Sequence, residues 1–208
     1  MPPEGWSWRD ASGAGAWTMR LLILHAALSA VAAGLAVLRG LEPPSGSLVE
    51  IAVALLQMVV FFAAAIATLR WLYLAKANAF AFGAEDMMIS PGWAVAWFFV
   101  PLANLVMPFV AMRETWKASA EPRDWQAAPA PVTLLFWWAA WLGAGAAGVI
   151  AFRMTADFGK DAVAAAQILF LAADLLSVAS ALLLVRIVAA IQAMQGRAAE
   201  LLVRNRFT

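Results

Sequence analysis

The chain has no cysteine and only one histidine, His25, among its 208 residues. The first absence excludes disulfides, thiolate metal sites and a cysteine nucleophile. The second excludes any centre built from several histidines. Charge is scarce too. Charged residues make up 13% of the chain, against about 25% in an ordinary soluble domain. Hydrophobic residues make up 64%, against about 45–50%. That balance excludes an ordinary cytosolic enzyme, a disordered chain and a nucleic-acid binder. What is left is an all-α, polytopic membrane helix bundle, read as one membrane domain over residues 1–208.

A helix needs about 20 apolar residues to cross the hydrocarbon core. Four runs qualify: 21–38 between Arg20 and Arg39, 51–74 after Glu50, 132–152 after a proline-rich loop, and 162–185 before Arg186. A further apolar stretch, 93–112, is long enough but carries Pro101, Asn104 and Pro108. Prolines break the intrahelical ladder, and lipid cannot satisfy the freed carbonyls. Ser90-Pro91-Gly92 reads as a helix start, since Ser caps and Pro suits the first turn. Residues 91–117 are therefore expected to form a re-entrant helical hairpin, broken at Pro101 with Asn104 at its apex and Arg113, Glu114 and Lys117 near the headgroups.

The basic residues choose between this layout and five spanning helices. With five spans, Lys and Arg divide 6 against 8 across the membrane, which is no bias. With four spans and a hairpin, 11 fall on one side, and Arg39, Arg153 and Lys160 on the other. The second division is the one the positive-inside rule expects, with both termini cytoplasmic in a bacterial inner membrane. Residues 1–20 hold Trp6, Trp8 and Trp17 and read as an interfacial tail. Glu4 and Asp10 make poor n-region chemistry for a signal peptide, so the first apolar run is expected to stay in the chain. Residues 186–208 read as an amphipathic cytoplasmic extension touching anionic lipid.

Residues 71–119 carry a distinctive run. Trp71-Leu-Tyr73, Ala75 and Asn78 come first, then Ser90-Pro-Gly-Trp through Pro101 and Asn104, Pro108, and Ala111-Met-Arg-Glu-Thr-Trp116. This run resembles the bacterial membrane family known as domain of unknown function 4328. The resemblance implies a small multi-helix membrane protein and assigns no activity. The chain departs from the family pattern at Met107, Leu74 and Ala77, where basic residues are common, at Phe109, where Tyr is common, and at Val110, where a polar residue is common.

Polar residues inside the apolar runs are the candidate sites. Asp174 lies near the middle of its run, where a carboxylate costs several kcal/mol unless it is paired, hydrated or protonated. Gln167 and Ser177 share its helix face. Asn104 and Asp174 would both lie near mid-depth, where they could approach each other. Gln57 reads as an interhelical hydrogen-bonding residue and His25 as a packing residue, with a proton relay or cofactor ligation the alternative for His25. Gly143-Ala-Gly145-Ala-Ala-Gly148 spells G-x-G-x-x-G, but it lies inside an apolar helix with no preceding strand, so it is not a dinucleotide site. Gly143 with Ala147, and Ala144 with Gly148, instead offer small residues for close helix contact.

No catalytic triad, paired carboxylate, phosphate loop or metal-ligand set can be assembled, so no cofactor is expected. Three function classes follow. The first is a non-enzymatic binding, scaffold or accessory subunit whose partners are the lipid bilayer and another membrane protein or a second copy. The second is a small channel or transporter using the hairpin and Asp174. The third is an intramembrane enzyme acting on lipid.

Overall fold

The computed structural model describes residues 6–157 and 162–204. Its main helices are α1 (Ser12–Leu38), α2 (Leu48–Ala81), α3 (Pro91–Ala96), α4 (Met107–Ala120), α5 (Thr133–Asp157) and α6 (Val163–Arg204). No strand occurs among the described residues. Within those residues α1, α2, α5 and α6 are the helices long and apolar enough to cross a membrane, and the chain is a multi-pass membrane protein.

α1, α2 and α5 outrun their predicted ends, α5 by five residues to Asp157. α1 begins nine positions before Leu21, so 12–20 is helix rather than tail. Asp10 helps to start it, because its Oδ1 accepts the Ser12 backbone N–H at 2.8 Å. α2 runs on to Ala81 because Ala75–Ala81 contains good helix formers and no breaker. It stops where Gly83 takes a φ of +95° and the Ala84 N–H turns back to the Ala79 carbonyl. α6 runs unbroken through 186, so the expected amphipathic extension continues the same helix as the span before it.

The stretch over 93–112 is broken, as its prolines predict. Ser90 caps α3, its Oγ accepting the Trp93 N–H at 3.4 Å. Pro101 has no N–H for the Trp97 carbonyl four residues back, and it holds Val100 extended at φ −90°, ψ 115°. The α-helix therefore ends at Ala96, and a single 3-10 turn follows at Trp97–Phe99. Next comes a tight γ-turn: Leu102 sits at φ 64°, ψ −44°, and the Ala103 N–H reaches the Pro101 carbonyl at 2.8 Å. A second 3-10 turn, Ala103–Leu105, leads to Pro108 in the first turn of α4.

The chain forms two compact units. The first comprises Met1–Met19, Ala65–Leu135 and Val185–Thr208; the second comprises Arg20–Ala64 and Phe136–Leu184. The first has a conventional dense core containing Trp71, Leu72, Ile89, Met112, Ile187 and Ile191. The second is inverted. Ala26, Ala33, Ala36, Ala64, Ala140, Ala147 and Ala166 are buried, while Leu24, Val31, Leu55, Phe62, Val149, Ile168 and Leu175 face outward. Large apolar side chains outside and small ones between helices are the arrangement lipid rewards, since only close backbone approach adds contact energy there.

Candidate functional site

In the second unit, three of the spanning helices meet at one polar rung. Ser29 of α1 lies on the buried face of alanines 26, 33 and 36 and is fully buried. Gln57 of α2 donates from Nε2 to Ser29 Oγ at 3.0 Å and to Asp174 Oδ1 of α6 at 3.1 Å. Gln57 and Asp174 are half-buried. The sequence singles out Gln57 and Asp174 separately, and the fold brings them together. Ser29 is the member that sequence reasoning missed. Its only signal is its spacing, a small polar residue in register with three alanines.

The other intramembrane candidates do not join this rung. Gln167 is buried on α6, and Ser177 is half-buried. His25, one turn before Ser29, packs on Phe61 with ring centroids 5.7 Å apart, and its Nδ1 is buried without a hydrogen-bond partner. Asn104 belongs to the first unit and Asp174 to the second. At the break, the carbonyls of Val100, Pro101, Leu102 and Ala103 are taken by main-chain N–H groups, so the Asn104 side-chain amide has no part in those bonds. The predicted small-residue face is used unevenly. A Cβ on Gly143 would stand 3.2 Å from Leu176 Cδ1, which marks a close helix crossing. Ala147 is buried and Ala144 half-buried, whereas a Cβ on Gly148 would meet nothing within 4 Å.

The first unit holds the stronger electrostatics, and here the sequence reading is corrected. Glu114 does not reach toward headgroups; it is buried beside an equally buried Lys76, Nζ to Oε2 at 2.6 Å. Its Oε1 accepts the Met88 N–H at 3.1 Å and its Oε2 the Ile89 N–H at 3.3 Å. One carboxylate thus joins α2, α4 and the loop before α3. Asn78 adds a second tie. It accepts the Arg9 N–H at Oδ1 (2.9 Å) and donates to the Arg9 carbonyl (2.8 Å). Asn78 also donates to Gln195 Oε1 of α6 at 3.3 Å, and Gln195 donates to the Ala75 carbonyl at 2.8 Å and to Ser119 Oγ at 2.9 Å. Gln192 donates to the Ala11 carbonyl at 3.1 Å. Trp71, wholly buried, leaves its Nε1 without a partner.

These contacts tie α2, α4, α6, the 82–90 loop and the segment before α1 to one another. The Lys76 amine is engaged by a carboxylate, and that carboxylate by two backbone amides as well. Among the described residues no group of three or more histidines or carboxylates could hold a metal ion. Clear of the spanning helices, the Asp10 carboxyl is held below its usual range by the Ser12 backbone N–H.

No curated protein and no solved structure matches the chain. A family model does match, over residues 45–193, well beyond the 71–119 run that carries the resemblance in the sequence. The matched stretch takes in the Gln57–Asp174 contact, the Lys76–Glu114 pair and the broken segment between them in sequence, and over it the chain is a member of the family described as domain of unknown function (DUF4328).

Proposed function

We propose that this chain is a non-enzymatic binding or accessory subunit of the bacterial inner membrane, with both termini cytoplasmic. The observation that supports it is the buried Lys76–Glu114 pair with its two backbone amides. Charge at that depth is engaged in fixing α2, α4 and the 82–90 loop, which makes a rigid platform. Around it, apolar side chains point outward: Met88 is 76% exposed and Trp93 is 53% exposed. Aromatic and methionine side chains of this kind are enriched where proteins meet partners. The partner is another membrane protein or a second copy of this chain. A photo-crosslinking amino acid at 88 or 93 in the native membrane is expected to capture one discrete protein, and the same group at lipid-facing Phe62 to capture none. Lipid adducts alone at all three positions would overturn the reading.

Residues 91–117 are proposed to enter and leave the membrane on one side. Phe99, Leu102, Leu105 and Val106 are exposed apolar residues at the break, and the carbonyls of residues 100–103 are satisfied within the main chain, as lipid favours. Cysteines at Ser90 and Ala120, both exposed, should react from the same side, and one at Ser47 from the opposite side. Ser119 is buried and unsuited to the test. A second reading, a small channel or transporter, is favoured by the Ser29–Gln57–Asp174 contact. Ion flux in proteoliposomes that is lost in Asp174→Asn supports it, and flux equal to empty vesicles overturns it.

A further inference from the structure

We propose that Asp174 is a proton-binding site within the second unit, with Gln57 and Ser29 as its positioning residues. The inference stands on what surrounds the carboxyl, and it holds whether or not ion flux accompanies it.

Asp174 projects from α6 into a bundle whose other interior residues are mostly alanine. An ionised carboxylate in such surroundings calls for a cation or for several N–H donors. The described donor is one amide N–H, from Gln57 at 3.1 Å, and Gln57 also serves Ser29. The charged groups on the packed helices are distant in sequence. Along α1 they are Arg20 and Arg39, nine and ten positions from Ser29. Along α2 they are Glu50, Arg70 and Lys76, seven, thirteen and nineteen positions from Gln57, and the nearest on α6 is Arg186, twelve positions from Asp174. On α5, Arg153 lies ten positions past Gly143, the residue that meets Leu176 of α6. At 1.5 Å per residue none comes closer than about 10 Å of helix rise. The nearest, Glu50, is itself paired with Arg39 at 2.7 Å.

With no cation paired to it among the described residues, the carboxyl balances its charge by taking up a proton. Gln57 fits that role in both states, because an amide N–H can donate to a carboxylate oxygen or to the carbonyl oxygen of the neutral acid. Ser29 fixes the amide by accepting its other N–H. A second titratable group lies on the same side of α1: His25 is four positions before Ser29, which places it one turn along, with its Nδ1 buried and unpartnered. Aspartic acid, amide and hydroxyl are therefore joined by hydrogen bonds across three helices, and the imidazole lies one turn along α1 from the hydroxyl. The chemistry bound is a proton alone.

A hydrophobic carbodiimide tests this directly, since it adds to a carboxyl in its protonated form and leaves an adduct of one reagent mass. The full-length protein in lipid nanodiscs is treated from about pH 5 to about pH 9, digested, and read by mass spectrometry. The expected result is an adduct at Asp174 whose yield falls about tenfold for each pH unit above its midpoint. Asp174→Asn should carry none. Gln57→Leu should shift the midpoint, while Phe62→Leu, which faces outward, should leave it in place. Infrared absorption of a protonated carboxyl, present in the wild type and lost in Asp174→Asn, is the second readout. A carboxyl that stays unmodified at every pH, or one whose modification ignores pH, overturns the proposal. A midpoint that Gln57→Leu does not move overturns the role given to Gln57.

Discussion

The two units handle polarity in opposite ways. The first buries a full ion pair and a network of amides and hydroxyls under a dense core that includes tryptophan, isoleucine and methionine. The second has an interior rich in alanine, with Gln167 and Ser180 buried singly and a hydrogen-bonded polar rung joining three helices. A buried charge is tolerable in the first because three donors converge on the Glu114 carboxylate of α4: the Lys76 amine of α2 and the Met88 and Ile89 amides of the loop before α3. In the second, closeness of the helices matters more than polar glue, and the rung is an exception inside it. Polar groups are structural by number in one unit and by isolation in the other.

The sharpest way to break this comparison is at Lys76. Lys76→Ala leaves Glu114 buried with only backbone amides, and a loss of about 3–5 kcal/mol is expected in detergent thermal unfolding. The double variant Lys76→Met with Glu114→Leu should lose less than Lys76→Ala alone, because no charge is stranded. Equal losses would mean that the pair contributes packing rather than compensation of charge.

Asp174→Leu probes the other unit and should cost less, about 1–2 kcal/mol, with Asp174→Asn close to the wild type. A cost as large as that of Lys76→Ala would erase the distinction between the units. A smaller and opposite effect is expected at the break. Leu102 has positive φ and is 81% exposed, so Leu102→Gly relieves backbone strain without emptying a core and should raise stability by about 1 kcal/mol. The smallest effect concerns Asp10. Its folded carboxyl lies below the unfolded value, so its contribution is complete above the ordinary carboxylate range and is lost as pH falls through the folded value. The difference in Tm between the wild type and Asp10→Ala should therefore shrink as pH is lowered through about 4.

Much of the helix plan is written in the sequence, because apolar run length and proline placement are local properties. The four spanning helices and the break near Pro101 follow from them. Helix ends are less legible from local sequence: Ala75–Ala81 extends its helix with good formers and no glycine or proline, whereas Ser12–Arg20 is helical in spite of Gly13 and Gly15. Asp174 and Gln57 stand out as polar residues in apolar runs, but their contact joins positions 117 apart and only the fold supplies it. Lys76 and Glu114 are harder still. Each reads as an ordinary interfacial charge, and burial becomes affordable only because the partner arrives from 38 positions away. Isolation in a run betrays a polar residue, and a residue that looks normal for its place gives no such sign.

The grip of Asn78 on Arg9 has a consequence for variation. Asn78 engages the backbone N–H and the backbone carbonyl of that residue, as a neighbouring β-strand would, and leaves the exposed arginine side chain outside those bonds. Recognition of this kind is blind to side-chain identity. Position 9 can drift through almost the whole amino-acid alphabet with the strap still fastened, and proline, which has no N–H to offer, is the one letter that unfastens it.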